Sequence, residues 1–252
     1  MTKHCDDHGD YEVLAGSFMG IEVECRCPGC VDEALAENAK KLLAQDKADN
    51  EAFIRGLISN ANIPDRFKNA SLLSYEATTP EQKQALKVCD IYSNDLLKND
   101  LSVKPGSGDA LFLLGNYGTG KTHLAIGILN RVLRRGISGI YTETLQMIRD
   151  IRSSYGDHSK SEQGLIDKYV YTKLLVLDEL GVQFGTEAEK ILLFEVLNGR
   201  YKLSKPTIII SNLEVSEVTN YLGDRVYDRL RSGNSQLVVM EWKSYRMREN
   251  DE

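Results

Sequence analysis

The segment from Gly115 to His123, Gly-Asn-Tyr-Gly-Thr-Gly-Lys-Thr-His, follows directly on the apolar run Ala-Leu-Phe-Leu-Leu. Gly115 and Gly120, with four residues between them and followed by Lys121 and Thr122, match the spacing of a phosphate-cradling loop. Glycines let backbone N–H groups turn toward phosphate oxygens, and a helix starting at Lys121 adds its positive dipole end. In this pattern Asn116, Tyr117, Gly118, Thr119 and His123 complete the wrapping, Lys121 reaches the β- and γ-phosphates, and Thr122 ligates Mg²⁺. The alternative is an ordinary glycine-rich turn; the strand before and the helix after favour the phosphate loop.

Two further strands end in polar groups. Lys-Leu-Leu-Val-Leu delivers Asp178 to the C-terminal edge of a sheet, where ligands of open α/β folds bind. Asp178 would hold the Mg²⁺ shell, and Glu179 would polarise a water for attack on the γ-phosphate. Pro-Thr-Ile-Ile-Ile ends in Ser211 and Asn212, which are placed to hydrogen-bond that phosphate or its attacking water. The alternative for Asn212 is a cap on the next helix. No Asn-Lys-x-Asp guanine-reading motif lies nearby, and hydrolysis of ATP coupled to movement is the reading these elements favour.

A second chemistry sits at the other end. Four of the five cysteines lie in the first thirty residues, with Cys89 alone. Cys5-x2-His8 and Cys27-x2-Cys30 form two close-spaced pairs across an expected β-hairpin in Tyr-Glu-Val-Leu-Ala-Gly-Ser-Phe-Met-Gly-Ile-Glu-Val-Glu-Cys, a set suited to tetrahedral Zn²⁺. Pro28 and Gly29 suit a tight turn between the last two ligands, and Gly9 one at the first. Cys25 and His4 are surplus and could substitute. Thirty residues bury too little to fold alone, so the module would need its metal. Reduced free cysteines are the alternative.

These residues need elements to position them. Residues 1–34 form the zinc module and 35–62 a helical connector, apolar-poor in its first half and denser from Phe53 on. From residue 63 to 252, β-branched runs alternate with helical patterns, giving an α/β fold with five parallel strands covered on both faces. The strands are expected at Ala-Leu-Phe-Leu-Leu, Ile-Ser-Gly-Ile-Tyr-Thr, Lys-Leu-Leu-Val-Leu-Asp, Pro-Thr-Ile-Ile-Ile-Ser and Gln-Leu-Val-Val-Met-Glu. With a net charge of −6, 42 % hydrophobic and 27 % charged residues, the 252-residue chain reads as globular and not as a general coat for duplex DNA. No apolar run approaches the ~20 residues a bilayer requires, and the polar N-terminus lacks the apolar core of a secretory signal. A cytoplasmic protein without a membrane partner is expected.

Taken together, Ile-Pro-Asp-Arg-Phe-Lys-Asn-Ala, Gly-Thr-Gly-Lys-Thr-His-Leu-Ala, Leu-Leu-Val-Leu-Asp-Glu-Leu-Gly-Val-Gln, Asp-Arg-Val-Tyr-Asp-Arg-Leu-Arg-Ser-Gly-Asn-Ser and Glu-Trp-Lys-Ser-Tyr-Arg resemble the DnaC family of replicative helicase loaders, which are AAA+ ATPases. The likeness spans residues 63 to 248. It implies an ATPase that binds a hexameric replicative DNA helicase, self-associates with ATP into a ring or spiral, and guides single-stranded DNA. Arg225 and Arg229 fall where such assemblies supply an arginine finger to a neighbouring subunit, with Arg229 favoured and Arg225 beside it. Four-residue spacing puts both on one helix face; an ion-paired surface is the alternative. Arg246 matches a nucleotide-sensing position, and the chain stops too soon for a C-terminal helical lid. An insertion at 145–168, with Arg149, Arg152, Tyr155 and Lys160, matches the part of these loaders that contacts single-stranded DNA, and basic residues with an aromatic suit that task; a polar surface helix and loop is the alternative. The zinc module departs from the family's helical N-terminal region, which leaves the partner less defined than the ATPase. A transposition helper ATPase acting on duplex DNA is the competing function, and a zinc-dependent adaptor with a merely structural nucleotide site the third.

Overall fold

The computed structural model describes residues 2–12, 16–18, 21–23, 27–98, 109–156, 161–181 and 186–245. The chain divides into two compact units, Met1–Phe53 and Ile54–Glu252. In the first, β1 (Thr2–Cys5) and β2 (Gly9–Glu12) pair antiparallel, as do β3 (Gly16–Phe18) and β4 (Ile21–Val23). The second pair occupies the stretch where a hairpin was expected; the first pair was not anticipated. Cys5 ends β1 and His8 lies in the turn, and Gly9 takes the left-handed φ of +76° that closes it.

Helix α1 spans Pro28–Asn60 and starts seven residues before its expected position at 35. Pro28 and Gly29 are therefore the first helical turn and not a free-standing knuckle: Val31 N–H already donates to the Cys27 carbonyl at 3.0 Å. The reason is local, since proline is preorganised for the first helical position and has no N–H to lose there. Most of α1 is exposed, and only near its end do Leu57 and Ile58 pack onto the core of the second unit.

The second unit is a three-layer α/β/α sandwich. After a 3₁₀ turn (Asp65–Phe67) come α2 (Pro80–Lys98), β5 (Leu111–Gly115), α3 (Lys121–Leu133), β6 (Gly139–Glu143), α4 (Thr144–Arg152), α5 (Glu162–Tyr171), β7 (Leu174–Asp178), α6 (Glu187–Lys202), β8 (Thr207–Ser211), α7 (Val215–Leu222), α8 (Asp224–Arg231) and β9 (Gln236–Met240). All five strands are parallel, in the order β6-β7-β8-β5-β9. Alternate strand residues feed two cores: Leu111, Leu113, Val176, Ile208 and Ile210 pack toward α2 and α3, while Phe112, Leu114, Leu175, Leu177 and Ile209 pack toward α4, α5, α6 and α8. Continuous apolar runs were required because both faces are buried.

The buried face of α2 includes Gln82 and Ser93 beside Ala85, Cys89, Tyr92 and Leu96, which weakens its apolar period. Cys89 is wholly buried there and its thiol is pushed up to about 12 by burial. The stretch 145–168 is largely built into the fold: Met147, Ile148 and Ile151 of α4 and Ile166, Tyr169 and Val170 of α5 are core residues. Arg200, on α6, is fully buried; it donates to Thr207 Oγ1 (2.9 Å) and to the carbonyls of Tyr169 (2.7 Å), Val170 (3.2 Å), Thr172 (2.9 Å) and Pro206 (2.5 Å). One guanidinium thus closes the end of α5 and fixes the entry to β8. Burial lowers its pKa to about 9.

Candidate nucleotide site and metal-ligand cluster

Strand order builds the first site. Because β8 lies between β5 and β7, the loop after β5, Asn212 after β8 and Asp178 at the end of β7 open onto one cavity of about 740 Å³. Tyr117 to His123, Glu143, Glu179, Trp242 and Tyr245 also line it. The loop glycines are required sterically. A Cβ on Gly115 would strike the Met240 carbonyl, one on Gly118 the Ser244 hydroxyl, and one on Gly120 would stand 2.6 Å from the Tyr75 ring. All three also have positive φ: 123°, 71° and 94°, a region open to glycine.

Lys121 is buried and its Nζ turns back onto the carbonyls of Gly115 (2.8 Å) and Asn116 (2.6 Å). Thr122 Oγ1 donates to Asp178 Oδ2 at 2.9 Å, which joins the two sequence motifs in space. Tyr141, on neighbouring β6, donates its hydroxyl to the same Oδ2 at 2.9 Å, and the Glu179 N–H donates to Oδ1 at 2.7 Å. The Asp178 carboxylate is thereby fixed on both oxygens. Burial and Asp178 raise the Tyr141 pKa, so its proton stays on the phenol as donor. Glu179 takes a left-handed φ of 57°, uncommon for a residue with a Cβ. Burial, then the charges of Glu143 and Asp178, raise its carboxyl pKa above the ordinary glutamate value, and Arg66 opposes them.

The loop is braced from outside. The Thr119 carbonyl accepts from Tyr75 OH (3.1 Å) and from Trp242 Nε1 (3.0 Å), and the Gly118 carbonyl from the Tyr245 N–H (2.8 Å). Sequence reasoning missed Tyr75, Tyr141 and Trp242 as site residues. His123 faces the linker before α2 as well as the cavity, with Nε2 3.0 Å from Ser74 Oγ and 3.1 Å from the Ser71 carbonyl. Ser211 does not face the phosphate site: its buried hydroxyl donates to the Leu180 carbonyl at 2.6 Å and accepts from the Leu213 N–H. Ile210 of that strand and Asn212 just after it line the cavity.

Arg225 is exposed on α8, whereas Arg229, one turn later, is half-buried, donates to Asn198 Oδ1 and lies 5.5 Å from the Tyr201 ring centre. Arg149 and Arg152 are exposed on α4, Arg152 paired with Glu189 at 3.1 Å, and Tyr155 donates to Glu162. Lys160, Arg246 and Cys25 lie outside the described residues.

A model of the IstB-like ATP-binding protein family matches residues 41–252. The chain belongs to that family. The replicative helicase loader DnaC of Escherichia coli K12 is 29 % identical over 220 residues, covering 87 % of this chain and 83 % of that protein. Among solved structures, the DnaC helicase loader superposes with a TM-score of 0.59 at 25 % identity, over 71 % of this chain and 100 % of that one. DnaI, at a TM-score of 0.57 and 20 % identity over 73 % and 94 %, shares the fold. This IstB-like chain thus carries the α/β ATPase core of the AAA+ loaders. Among its described residues no helix is long and apolar enough to cross a membrane.

The second site lies in the first unit. Donor atoms of Cys5, His8, Cys27 and Cys30 all fall within 4.8 Å of one another. Cys5 Sγ and Cys30 Sγ are 3.5 Å apart, with His8 Nδ1 at 3.7 and 3.5 Å from them. A tetrahedron with Zn–S of ~2.3 Å and Zn–N of ~2.05 Å has edges of about 3.6–3.8 Å, so the donor set fits a tetrahedral cation. Glu33 of α1 approaches His8 Nε2 at 3.2 Å, the carboxylate–imidazole arrangement that orients metal-ligating histidines. Gly29 lets the His8 ring lie against the helix, since a Cβ there would be 2.5 Å from His8 Cδ2. Cys5 is lowered to about 6 chiefly by its bond to His8, and Cys30 is raised to about 12 beside Cys5. His4 is turned to its cross-strand neighbour Asp10 at 2.5 Å.

Proposed function

We propose that this protein is an ATP-dependent loader that binds a hexameric replicative DNA helicase and helps place it on single-stranded DNA. The observation that carries the reading is the DnaC likeness over 87 % of the chain, joined to a cavity in which Lys121, Thr122, Asp178 and Glu179 meet. Lys121 and the loop N–H groups bind the phosphates. Thr122 and Asp178 hold Mg²⁺, which neutralises charge on the phosphates, and Glu179 orients the attacking water with Asn212 close by. Arg229 and Arg225 complete a neighbour's site in a ring or spiral, and Arg149, Arg152 and Tyr155 give single-stranded DNA a basic and aromatic surface. The domains follow as a zinc module at 1–34, a connector at 35–62 and the ATPase at 63–252, in a cytoplasmic protein. Cys5, His8, Cys27 and Cys30 would hold Zn²⁺, whose binding would supply folding energy to the module.

Gel filtration with the purified replicative helicase from the same cell tests the proposal. A complex that forms with ATP, and persists with Glu179→Gln, supports it. The IstB-like family match favours one competitor, a transposition helper on duplex DNA. ATP-stimulated duplex binding without helicase binding would decide for that helper.

A further inference from the structure

Gln82 stands in the first turn of α2, is 4 % exposed and yet lines the nucleotide cavity. Its Oε1 is fully engaged, accepting from the N–H of Thr78 (2.8 Å), the hydroxyl of Thr78 (2.9 Å) and the N–H of Thr79 (3.0 Å). In return Thr79 Oγ1 accepts from the Gln82 N–H at 3.3 Å, a reciprocal Thr-x-x-Gln box at a helix start. Two backbone N–H groups on one side of the amide fix which end is oxygen. The NH₂ end is therefore left over, and among the described residues no acceptor meets it.

A cap does not need that amide, because glutamate serves the same place equally well. What glutamine adds is a neutral pair of donors on a residue that lines the cavity, where a ligand acceptor would give them a hydrogen bond. Lys121 and the loop serve the phosphate end of the cavity. Adenine offers acceptors and no acid, through its unprotonated ring nitrogens, so a neutral donor suits it. We propose that Gln82 is a base-reading residue, donating from Nε2 to a ring nitrogen of the adenine of bound ATP while Oε1 stays in the helix cap. The proposal rests on the ATP-site reading above.

Trp242, the protein's one tryptophan, lines the same cavity, and its fluorescence reports binding in the full-length chain. Three ligands test the wild type: 1-deaza-, 3-deaza- and 7-deaza-ATP, each lacking one ring nitrogen. One of them is expected to bind about tenfold more weakly than ATP. Gln82→Glu keeps the cap but replaces the donor, and is expected to bind ATP at least about tenfold more weakly while binding inorganic tripolyphosphate like the wild type. All three analogues binding as ATP does would overturn the proposal, even if the variant does not fold. So would a Gln82→Glu protein with unchanged ATP affinity, or one that loses tripolyphosphate to the same extent. A wild type that binds no ATP at all would instead dismiss the site reading.

Discussion

Two hydroxyls, Thr122 and Tyr141, converge on Asp178 Oδ2 while the Glu179 N–H holds Oδ1. The acid that would carry the metal shell is thus preorganised, and the neighbouring Glu179 side chain lines the same cavity. Lys121→Ala should abolish nucleotide binding, read by Trp242 fluorescence. Glu179→Gln should keep binding but turn ATP over at least about a hundredfold more slowly; unchanged turnover would remove Glu179 from the mechanism. The raised Glu179 pKa has a sign that can be followed. Its carboxylate is the working form, and it is lost on acidification at a higher pH than an ordinary glutamate. Glu143 is one cause of the rise, so Glu143→Gln should move the acid limb of the ATPase pH profile to lower pH. A limb that stays in place would exclude that coupling. Lys121, Thr122 and Asp178 were legible because their motifs are local in sequence. Tyr141 was not, since it is one of 12 tyrosines in a strand whose alternation reads as core, and its meeting with Asp178 depends on β6 lying beside β7.

At the scale of elements, the start of α1 and the β1–β2 hairpin bring together four side chains that could ligate a metal, at residues 5, 8, 27 and 30. One equivalent of zinc should copurify, and Cys27→Ser with Cys30→Ser should lose it while ATP binding persists. Elemental analysis finding no metal in protein purified without chelator would contradict this. The clustering of these four donors could be expected from spacing, but the helix start could not. Pro28 and Gly29 carry turn propensity as well as helix-start propensity, and the His8 ring packs where a Cβ on Gly29 would sit. Arg200 shows the same limit inside α6. An arginine in a helical stretch reads as surface until five oxygen acceptors at the end of α5 and the start of β8 are seen to surround it.

At the scale of the whole molecule, the five strands and the covered faces of their parallel sheet were legible from apolar runs, whereas their order was not, because nothing local tells β8 to insert between β5 and β7. That order puts the phosphate loop, Asp178 and Asn212 at one edge, and α8 presents Arg225 to solvent. An arginine supplied in trans adds about 10³–10⁵ to phosphoryl-transfer rates. Arg229→Ala should therefore bind nucleotide normally but lose assembly-stimulated turnover, and mixing it with inactive Lys121→Ala should restore part of the activity. A mixture that co-assembles and stays inactive would exclude a shared site. The most direct measurement of the central claim is delivery of the purified replicative helicase onto closed circular single-stranded DNA, scored by unwinding of an annealed strand. Unwinding that requires this protein and ATP, and that Lys121→Ala does not support, is the predicted result. Equal unwinding with and without the protein, using a helicase shown to need a loader, would contradict it.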